Sequence, residues 1–440
     1  LRRAAAAAAE RGDPVAPELE NDLVDVLAHV EPLRDEYLRR LEALEAQDRP
    51  TLLAHLAWVR AIGGAPAAEV RELARRALTA GGFVHFYALE ALMNVEAADE
   101  CAAALRDATA MAERLGSTVA AGPLTYMTTA WGAWERSFGD LRHAEELARY
   151  ALDVMLMTRA PAAVVSVRSN LAQILVDRGR LDEADAELAR LPSRETGQGI
   201  REIHAIRARL RVHQGRNEEA LAELELELAQ ERRRGWAIGN REPSRATLVR
   251  ALVALGRTAE ARPIADEQVA LAERRGVAGA EARARVARAL TLRGDDALEE
   301  LRTAAEVARR SPARIVRAEA LGELGAALRR AGDRTAAREP LAEARELAHR
   351  CGAGGLEERI HEELVVAGAR PRRVALSGVE SLTAAERRVA ELAAQGMRNR
   401  DIAQTLFVTL KTVEVHLGRT YGKLGIRARS QLAGALAADG

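Results

Sequence analysis

The sequence predicts an all-α protein, in which an array of paired helices precedes a small domain of four short helices. Two patterns predict this class. Apolar residues recur at steps of three and four through most of the chain, and glycines separate these stripes at intervals of 36 to 41 residues. A third observation separates the two parts, since the formally neutral chain ends in a segment with a clear basic excess.

The repeated unit is an apolar helix, a glycine and a second helix with alanine and leucine stripes. The glycines are Gly139, Gly179, Gly215, Gly256, Gly294 and Gly332. Each is expected to adopt the left-handed conformation that ends the first helix of a pair. The segments 179–184 and 215–220 resemble the inter-helix turn of tetratricopeptide repeats, although the period exceeds 34 residues. We therefore predict a tetratricopeptide-like solenoid over 118–367, preceded over 1–117 by helices that are either divergent repeats or a separate subdomain.

Aromatic residues are concentrated at the start of this array. Seven of the 13 lie between positions 83 and 138: Phe83, Phe86, Tyr87, Tyr126, Trp131, Trp134 and Phe138. They could line a pocket for an effector, since binding pockets are rich in aromatic side chains. They could equally fill the core of the repeats where alanine leaves gaps, and this second interpretation is the favoured one.

Several classes of protein are disfavoured by the sequence. The longest uncharged stretch, 115–134, is broken by Gly122-Pro123 and contains five Ser and Thr residues, so we do not expect it to span a membrane. Cys101 and Cys351 are far apart, which favours a reducing cytoplasm and predicts neither a disulfide nor a zinc site. Because no nucleophile elbow, HExxH or P-loop motif occurs, we expect no enzymatic activity and no cofactor in this chain. The chain opens at Leu1 rather than methionine, so we expect further sequence upstream.

The C-terminal segment is basic. From Arg370 to Gly440 there are twelve Lys and Arg against six Asp and Glu, so the rest of the neutral chain carries a net charge of −6. A basic tail on an acidic body suits a protein of which only one end meets a polyanion. The Gly- and Arg-rich stretch 368–379 is predicted to be an exposed linker, and a compact domain is expected over 380–440.

Three helices of this domain can be placed from their caps. Thr383 and Glu386 form a capping box for the first helix, and Asn399 is expected to cap the second. Thr409 can cap a third helix, from Leu410 to about Leu424, whose apolar face consists of Val413, Leu417, Tyr421 and Leu424. Such a helix is about 20 Å long and fits a major groove about 12 Å wide. One face can rest on the core while the other meets bases, as in a helix-turn-helix.

Residues 382–436 resemble the LuxR-type DNA-binding domain. The motifs that carry the resemblance are Leu382-Thr383, Glu386, Gly396, Asn399, Ile402-Ala403, Leu406, Lys411-Thr412-Val413, His416-Leu417 and Lys423-Leu424-Gly425. With the repeats, the chain is similar to the C-terminal part of the large ATP-binding LuxR-type regulators, a group that includes the maltose-system activator. In that group an ATP-binding domain precedes the repeats. The resemblance thus implies ATP only in an upstream domain, since this chain has no GxxxxGK[ST] motif.

The resemblance also implies a DNA-reading site on the third helix. The residues expected to face the DNA are Lys411, Thr412, Glu414, Val415, Gly418 and Arg419. Thr409, Lys423 and Arg427 are expected to contact phosphates. Asn399 and Arg400 are expected to lie at the edge of the groove. Two alternatives stay open for Glu414, which could accept a hydrogen bond from a cytosine amino group or act within the protein toward Arg419. Thr412 and His416 could equally serve helix packing.

The function implied is that of a cytoplasmic, sequence-specific transcriptional regulator, and in particular an activator. The expected partners are double-stranded DNA, RNA polymerase, a small-molecule or protein effector on the repeats, and a second copy of the chain on DNA through the helix near 430–438. Gly418 in mid-helix and Ala428, where the family often has Ser or Thr, depart from the pattern. They leave open an alternative, a helical-repeat interaction scaffold with a degenerate DNA-binding tail.

Overall fold

A computed structural model gives the fold of most of the chain. It describes residues 2–13, 15–28, 34–44, 49–79, 86–114, 121–157, 161–191, 200–234, 244–368, 382, 384–406 and 408–437. Within these ranges the regular structure is helical and no strand occurs. The predicted all-α class is confirmed.

Twenty-four α-helices and one 3₁₀ turn make up the described residues. The N-terminal helices are α1 (Arg2–Glu10), α2 (Ala16–Ala28), α3 (Arg34–Leu44), α4 (Pro50–Ile62), α5 (Ala67–Thr79), α6 (Phe86–Asn94) and α7 (Ala98–Arg114). The repeat region contains α8 (Ala121–Phe138), α9 (Leu141–Met157), α10 (Pro161–Asp177), α11 (Leu181–Ala189), α12 (Ile200–His213), α13 (Asn217–Arg234), α14 (Ser244–Ala254), α15 (Thr258–Arg275), α16 (Ala278–Ala289), α17 (Gly294–Ala308), α18 (Arg314–Arg330), α19 (Arg334–Arg350) and α20 (Gly354–Val366). The C-terminal helices are α21 (Ala384–Ala394), α22 (Asn399–Thr405), α23 (Leu410–Leu424) and α24 (Leu432–Ala437), with the 3₁₀ turn Arg429–Gln431 before α24.

Four of the six helix pairs predicted around the glycines are closely packed pairs in the structure. Consecutive helices pack against each other in the pairs α8–α9, α12–α13, α14–α15 and α18–α19. The predicted stripe residues Leu171, Ile174 and Leu175 are fully buried on α10, and Leu341 and Ala344 are fully buried on α19. Burial of one apolar face on each helix is therefore what holds the pairs together.

The turns between paired helices follow the prediction at all but one of the predicted glycines. A positive φ occurs at Gly179, Gly215, Gly256, Gly294 and Gly332. Gly139 does not adopt the left-handed conformation, so the prediction is wrong there. The physical reason for a glycine at this position is space, because a Cβ on Gly139 would overlap the carboxylate of Glu135.

Contacts divide the chain into two compact units, each made of two stretches of sequence. The first contains 1–120 and 185–291, and the second contains 121–184 and 292–440. In the first unit Arg275 is buried and donates to the carbonyl oxygen of Ala61 at 2.5 Å. The predicted domain boundaries were drawn from repeats in the sequence, whereas these two units are defined by contacts. The boundaries therefore stay predictions.

Two contacts between turns join the two stretches of sequence that make up the second unit. Leu141 N, just after the α8–α9 turn, donates to the carbonyl oxygen of Cys351 at 2.9 Å. Gly179 and Gly355 pack backbone against backbone, since a Cβ on Gly179 would lie 2.6 Å from the Gly355 Cα. The segment 121–184 is thereby fixed to the helices that precede the C-terminal domain.

Neither a metal cluster nor a membrane span is found in the described ranges. No group of three or more His, Cys, Asp and Glu side chains there could hold a metal ion. No described helix is long and apolar enough to cross a bilayer. Cys101 and Cys351 are buried free thiols, and burial raises the pKa of Cys351 to about 11.

Candidate nucleic-acid interface

Helices α21 to α24 form a small domain around a core of their own. The buried residues of this core are Leu382, Val389, Ala390, Ala393, Ile402, Ala403, Val413, Leu417 and Leu432. Every apolar residue assigned from the sequence to the face of the third helix belongs to this core or packs against it. The core supports α23 from one side only.

The start and end of α23 are fixed by local chemistry. Thr409 is its N-cap, and its Oγ1 accepts a hydrogen bond from the backbone N–H of Thr412 at 3.1 Å. Gly425 ends the helix with φ of +65°, a conformation that costs glycine little. The predicted range, Leu410 to Leu424, is confirmed. Asn399 does not cap α22, because the helix begins at Asn399 and Arg398 is the N-cap.

Helix α23 has two sharply different faces. Val413, Leu417 and Thr420 are buried, as is His416. The opposite face is open to solvent, with side-chain exposures of 82% for Lys411 and 50% for Glu414. The other exposed residues of this face are Val415, Gly418 and Arg419. The helix therefore presents a mixed polar and apolar surface with a net positive charge.

The cations around this surface are available to an anionic partner. Arg419 on α23, Arg400 on α22 and Arg427 after α23 are exposed and make no ion pair with other described residues. Lys411 has one weak partner, since its Nζ lies 3.9 Å from Glu414 Oε2 and both side chains are solvated. Glu414 is thus paired within its helix, with Lys411 rather than with Arg419.

The comparisons with known proteins agree with this geometry. Residues 380–435 match the family described as bacterial regulatory proteins, luxR family. Spore germination protein GerE of Bacillus subtilis is 44% identical over 50 residues, which are 11% of this chain and 68% of GerE. The chain belongs to the luxR family.

Much longer relatives match a short stretch of this chain. Two HTH-type transcriptional regulators, one from Mycobacterium bovis and one from Mycobacterium tuberculosis, are each 45% identical over 65 residues. The match is 15% of this chain and 7% of each regulator, so the chain spans only a small part of their length.

Two predicted contact residues of the luxR-family domain have partners inside it. Lys423 is paired with the carboxylate of Glu386, which is buried on α21. Asn399 Oδ1 accepts a hydrogen bond from Arg429 Nη1 at 2.6 Å. Both side chains therefore help to join helices, and DNA would have to compete with these partners. The capping box expected for Glu386 involves Thr383, which lies outside the described residues.

The departures from the family pattern leave the helices of this domain intact. Helix α23 continues through Gly418, and no atom lies within 4 Å of the place where a Cβ would stand. At Ala428 the side chain of Gln431 serves as a cap, because its Oε1 accepts from the backbone N–H groups of Arg427 and Ala428 at 2.8 and 3.0 Å. Leu432 lies in the helix expected to meet a second copy, and it is fully buried in the core of its own domain.

The aromatic residues proposed for effector binding fall into two groups in different units. In the first unit Phe86 and Tyr87 are neighbours, and Tyr87 also contacts the ring of Trp58. In the second unit the Trp131 and Trp134 centroids lie 5.7 Å apart, and those of Trp134 and Phe138 lie 6.0 Å apart. Phe83 and the side chain of Tyr126 lie outside the described residues.

No local sequence pattern predicts the residues that connect this domain to the repeats. Arg388 on α21 pairs with Glu135 on α8, and His416 Nε2 donates to Glu146 Oε2 on α9 at 3.0 Å. Only His416 had been singled out, as a packing residue or a DNA contact. The partners are separated by more than 240 residues, so no local pattern could pair them.

Proposed function

We propose that this chain is the regulatory and DNA-reading part of a transcriptional regulator, and that the exposed face of α23 lies in the major groove of double-stranded DNA. The observation that carries the proposal is the two-faced α23 of a luxR-family domain, buried on one side and cationic on the other. Its 15 residues give a rod of about 22 Å. A helix of this size enters a groove about 12 Å wide.

The side chains of this face suit different parts of a duplex. Lys411 and Arg419 are exposed donors that can reach guanine edges or phosphates, and Val415 offers methyl groups to thymine. Arg400 and Arg427 flank the helix and suit the sugar-phosphate backbone. Glu414 can leave its weak pair with Lys411 to accept from a cytosine amino group. Of these cations, Lys423 is expected to contribute least to DNA binding, because the carboxylate of Glu386 already neutralises it.

The remaining parts of the proposal concern regulation. We assign the repeats the binding of an effector, with the half-buried Trp131 and Trp134 as one candidate surface, because helical repeats are binding scaffolds. The mycobacterial relatives are HTH-type transcriptional regulators by name, which supports a role in transcription. Activation through RNA polymerase, ATP binding by an upstream domain, and a cytoplasmic location follow the resemblance to the large LuxR-type regulators.

Helix α24 offers only a small surface to a second copy of the chain on DNA. Leu432 is committed to the core, which leaves the exposed Ala433 and Gly434 with the half-buried Leu436. Such a surface is small, so we expect two copies to meet on adjacent half-sites rather than in free solution.

Salt dependence of DNA binding tests the proposal. Duplexes selected from a random library would be titrated with the full chain at several salt concentrations. Four exposed cations around α23 predict a slope of log K against log salt of about −3 to −4. Arg419→Ala should weaken binding and make the slope shallower by about 1.

Two control variants sharpen the test. Arg302→Ala removes an exposed arginine of α17 and should leave both affinity and slope unchanged. Lys423→Ala should reduce the slope less than Arg419→Ala does. Binding without salt dependence, or equal losses in Arg302→Ala and Arg419→Ala, would contradict a DNA-reading α23.

A further inference from the structure

The luxR-family domain is attached to the repeats through two separate contacts. Arg388 of α21 inserts its guanidinium between Glu135 of α8 and His143 of α9, where Nη2 lies 2.9 Å from the His143 Nδ1. His416 of α23 reaches Glu146, also on α9. One helix hairpin, α8–α9, thus holds both the first helix and the recognition helix of the domain.

The first contact is built around a buried carboxylate. The Glu135 side chain has no solvent exposure, and its Oε2 accepts from the backbone N–H of Asp140 at 2.9 Å. Its Oε1 lies 3.1 Å from His143 Nδ1. Space for the carboxylate exists because Gly139 has no side chain. A buried charge needs a partner, and Arg388 of the luxR-family domain is the cation that neutralises it.

The α8–α9 hairpin is also held by contacts that do not involve the luxR-family domain. Asp140 at its turn is buried, and its Oδ1 accepts from Arg142 Nε at 3.1 Å. Arg142 Nη2 in turn donates to the carbonyl oxygens of His349 and Arg350 at 3.3 Å. Together with the bond from Leu141 to Cys351, these contacts fasten the hairpin to the end of α19.

The hairpin contacts the side of α23 that is turned away from the open face. His416 is buried, whereas its neighbour Val415 remains 39% exposed. Lys411, Gly418 and Arg419 also stay exposed with the domain in this position. Of the residues assigned to base contact, Thr412 is half-buried and all the others are exposed while the domain is attached to the repeats.

We propose that the α8–α9 hairpin positions the recognition helix, and that Glu135 and Glu146 hold the luxR-family domain on the repeats with its DNA-facing side outward. Glu135 and Glu146 are positioning residues, since they act through Arg388 and His416. The domain then binds DNA while it stays attached to the repeats, and the repeats set the orientation in which α23 is presented. This inference rests on the proposed function of α23, but the attachment itself can be measured without DNA.

Hydrogen exchange of the full chain measures the attachment directly. In Glu146→Ala and Arg388→Ala, exchange in residues 135–146 should rise by about tenfold or more, because the segment loses a contact with the luxR-family domain and keeps only the contacts with α19 on that side. Glu146→Gln keeps an oxygen that accepts from His416 and should restore most of the protection. Glu299→Ala, which removes an exposed ion pair on α17, should leave 135–146 unchanged. If exchange in residues 135–146 is unchanged in both Glu146→Ala and Arg388→Ala, the proposal is overturned.

The same measurement with DNA distinguishes positioning from inhibition. Added duplex should leave the protection of 135–146 intact, and Glu146→Ala should bind a single-site duplex within about twofold of the unaltered chain, because the open face is unaffected. A rise in exchange at 135–146 on DNA binding, or DNA binding that is about tenfold tighter in Glu146→Ala, would show that the contact opposes DNA and would overturn the proposal. If the chain binds no DNA while 135–146 is still protected through Arg388 and Glu146, the proposed function fails and the attachment stands.

Discussion

Replacing Arg388 with alanine should destabilise the second unit in a pH-dependent way. Burial on its own would raise the pKa of Glu135, but Arg388, His143 and the N–H of Asp140 lower it from 4.5 to about 2. A shift of this size corresponds to about 3 kcal/mol of stabilisation at neutral pH. Arg388 supplies part of it and its side chain is 30% exposed, so solvent screening reduces its share to about 2 kcal/mol.

The sign of the pH dependence follows from the lowered pKa. Glu135 stabilises the folded chain above its ordinary pKa, and that stabilisation is lost as the pH falls toward 2. In Arg388→Ala the carboxyl keeps its burial but loses its strongest neutralising charge, so its pKa rises. The difference between the two chains should therefore be largest at pH 7 and shrink as the pH falls from about 5 toward 2.

Urea unfolding monitored by tryptophan fluorescence would measure this difference. With Trp58 and Trp236 replaced by phenylalanine, Trp131 and Trp134 report from α8, the helix that carries Glu135. Arg302→Ala, which breaks an exposed pair with Glu299, should change the free energy of unfolding by less than about 0.5 kcal/mol at either pH. An Arg388→Ala effect no larger than this control, or one that grows on acidification, would refute the reasoning.

Three further substitutions test the packing of the helices. Gly179→Ala should destabilise the chain by clearly more than Gly215→Ala: both glycines have a positive φ, worth about 1 kcal/mol, but only at Gly179 does a Cβ meet the backbone of Gly355. Thermal unfolding of the pair checks this, and equal losses would contradict the close contact. Thr409→Ala should lower the helicity and stability of the luxR-family domain by about 1 kcal/mol through loss of the α23 cap, as seen by circular dichroism. Leu417→Ala removes a core side chain and should cost about 2–4 kcal/mol, so an unfolding curve unchanged by it would contradict the assigned core.

The parts of the fold that depend on local sequence were predictable. The range of α23 follows from a cap at Thr409 and a stripe of apolar residues, and both signals act within a few turns of helix. The glycine turns of the repeats follow likewise from backbone conformation. The prediction for Gly139 was wrong because a glycine can provide either a left-handed turn or space for a neighbouring side chain. Only the structure shows that the Glu135 carboxylate packs against Gly139.

The connections between distant segments were not predictable from one sequence. Lys423 was assigned to phosphate because it is a cation beside the recognition helix, yet its partner Glu386 lies on another helix of the same domain. Arg388 is one of many arginines, and nothing near it in sequence indicates a buried carboxylate on α8. Such pairings arise from the way helices stack, which periodicity along one chain does not encode.

The central claim is that the exposed face of α23 meets DNA, and cysteine protection tests it most directly. Val415→Cys places a thiol on that face and Glu391→Cys places one on the exposed side of α21, while the native Cys101 and Cys351 are buried. Saturating duplex should slow alkylation of the cysteine at 415 by at least about tenfold and leave the one at 391 almost unaffected. Equal alkylation rates at 415 with and without bound duplex would contradict the account.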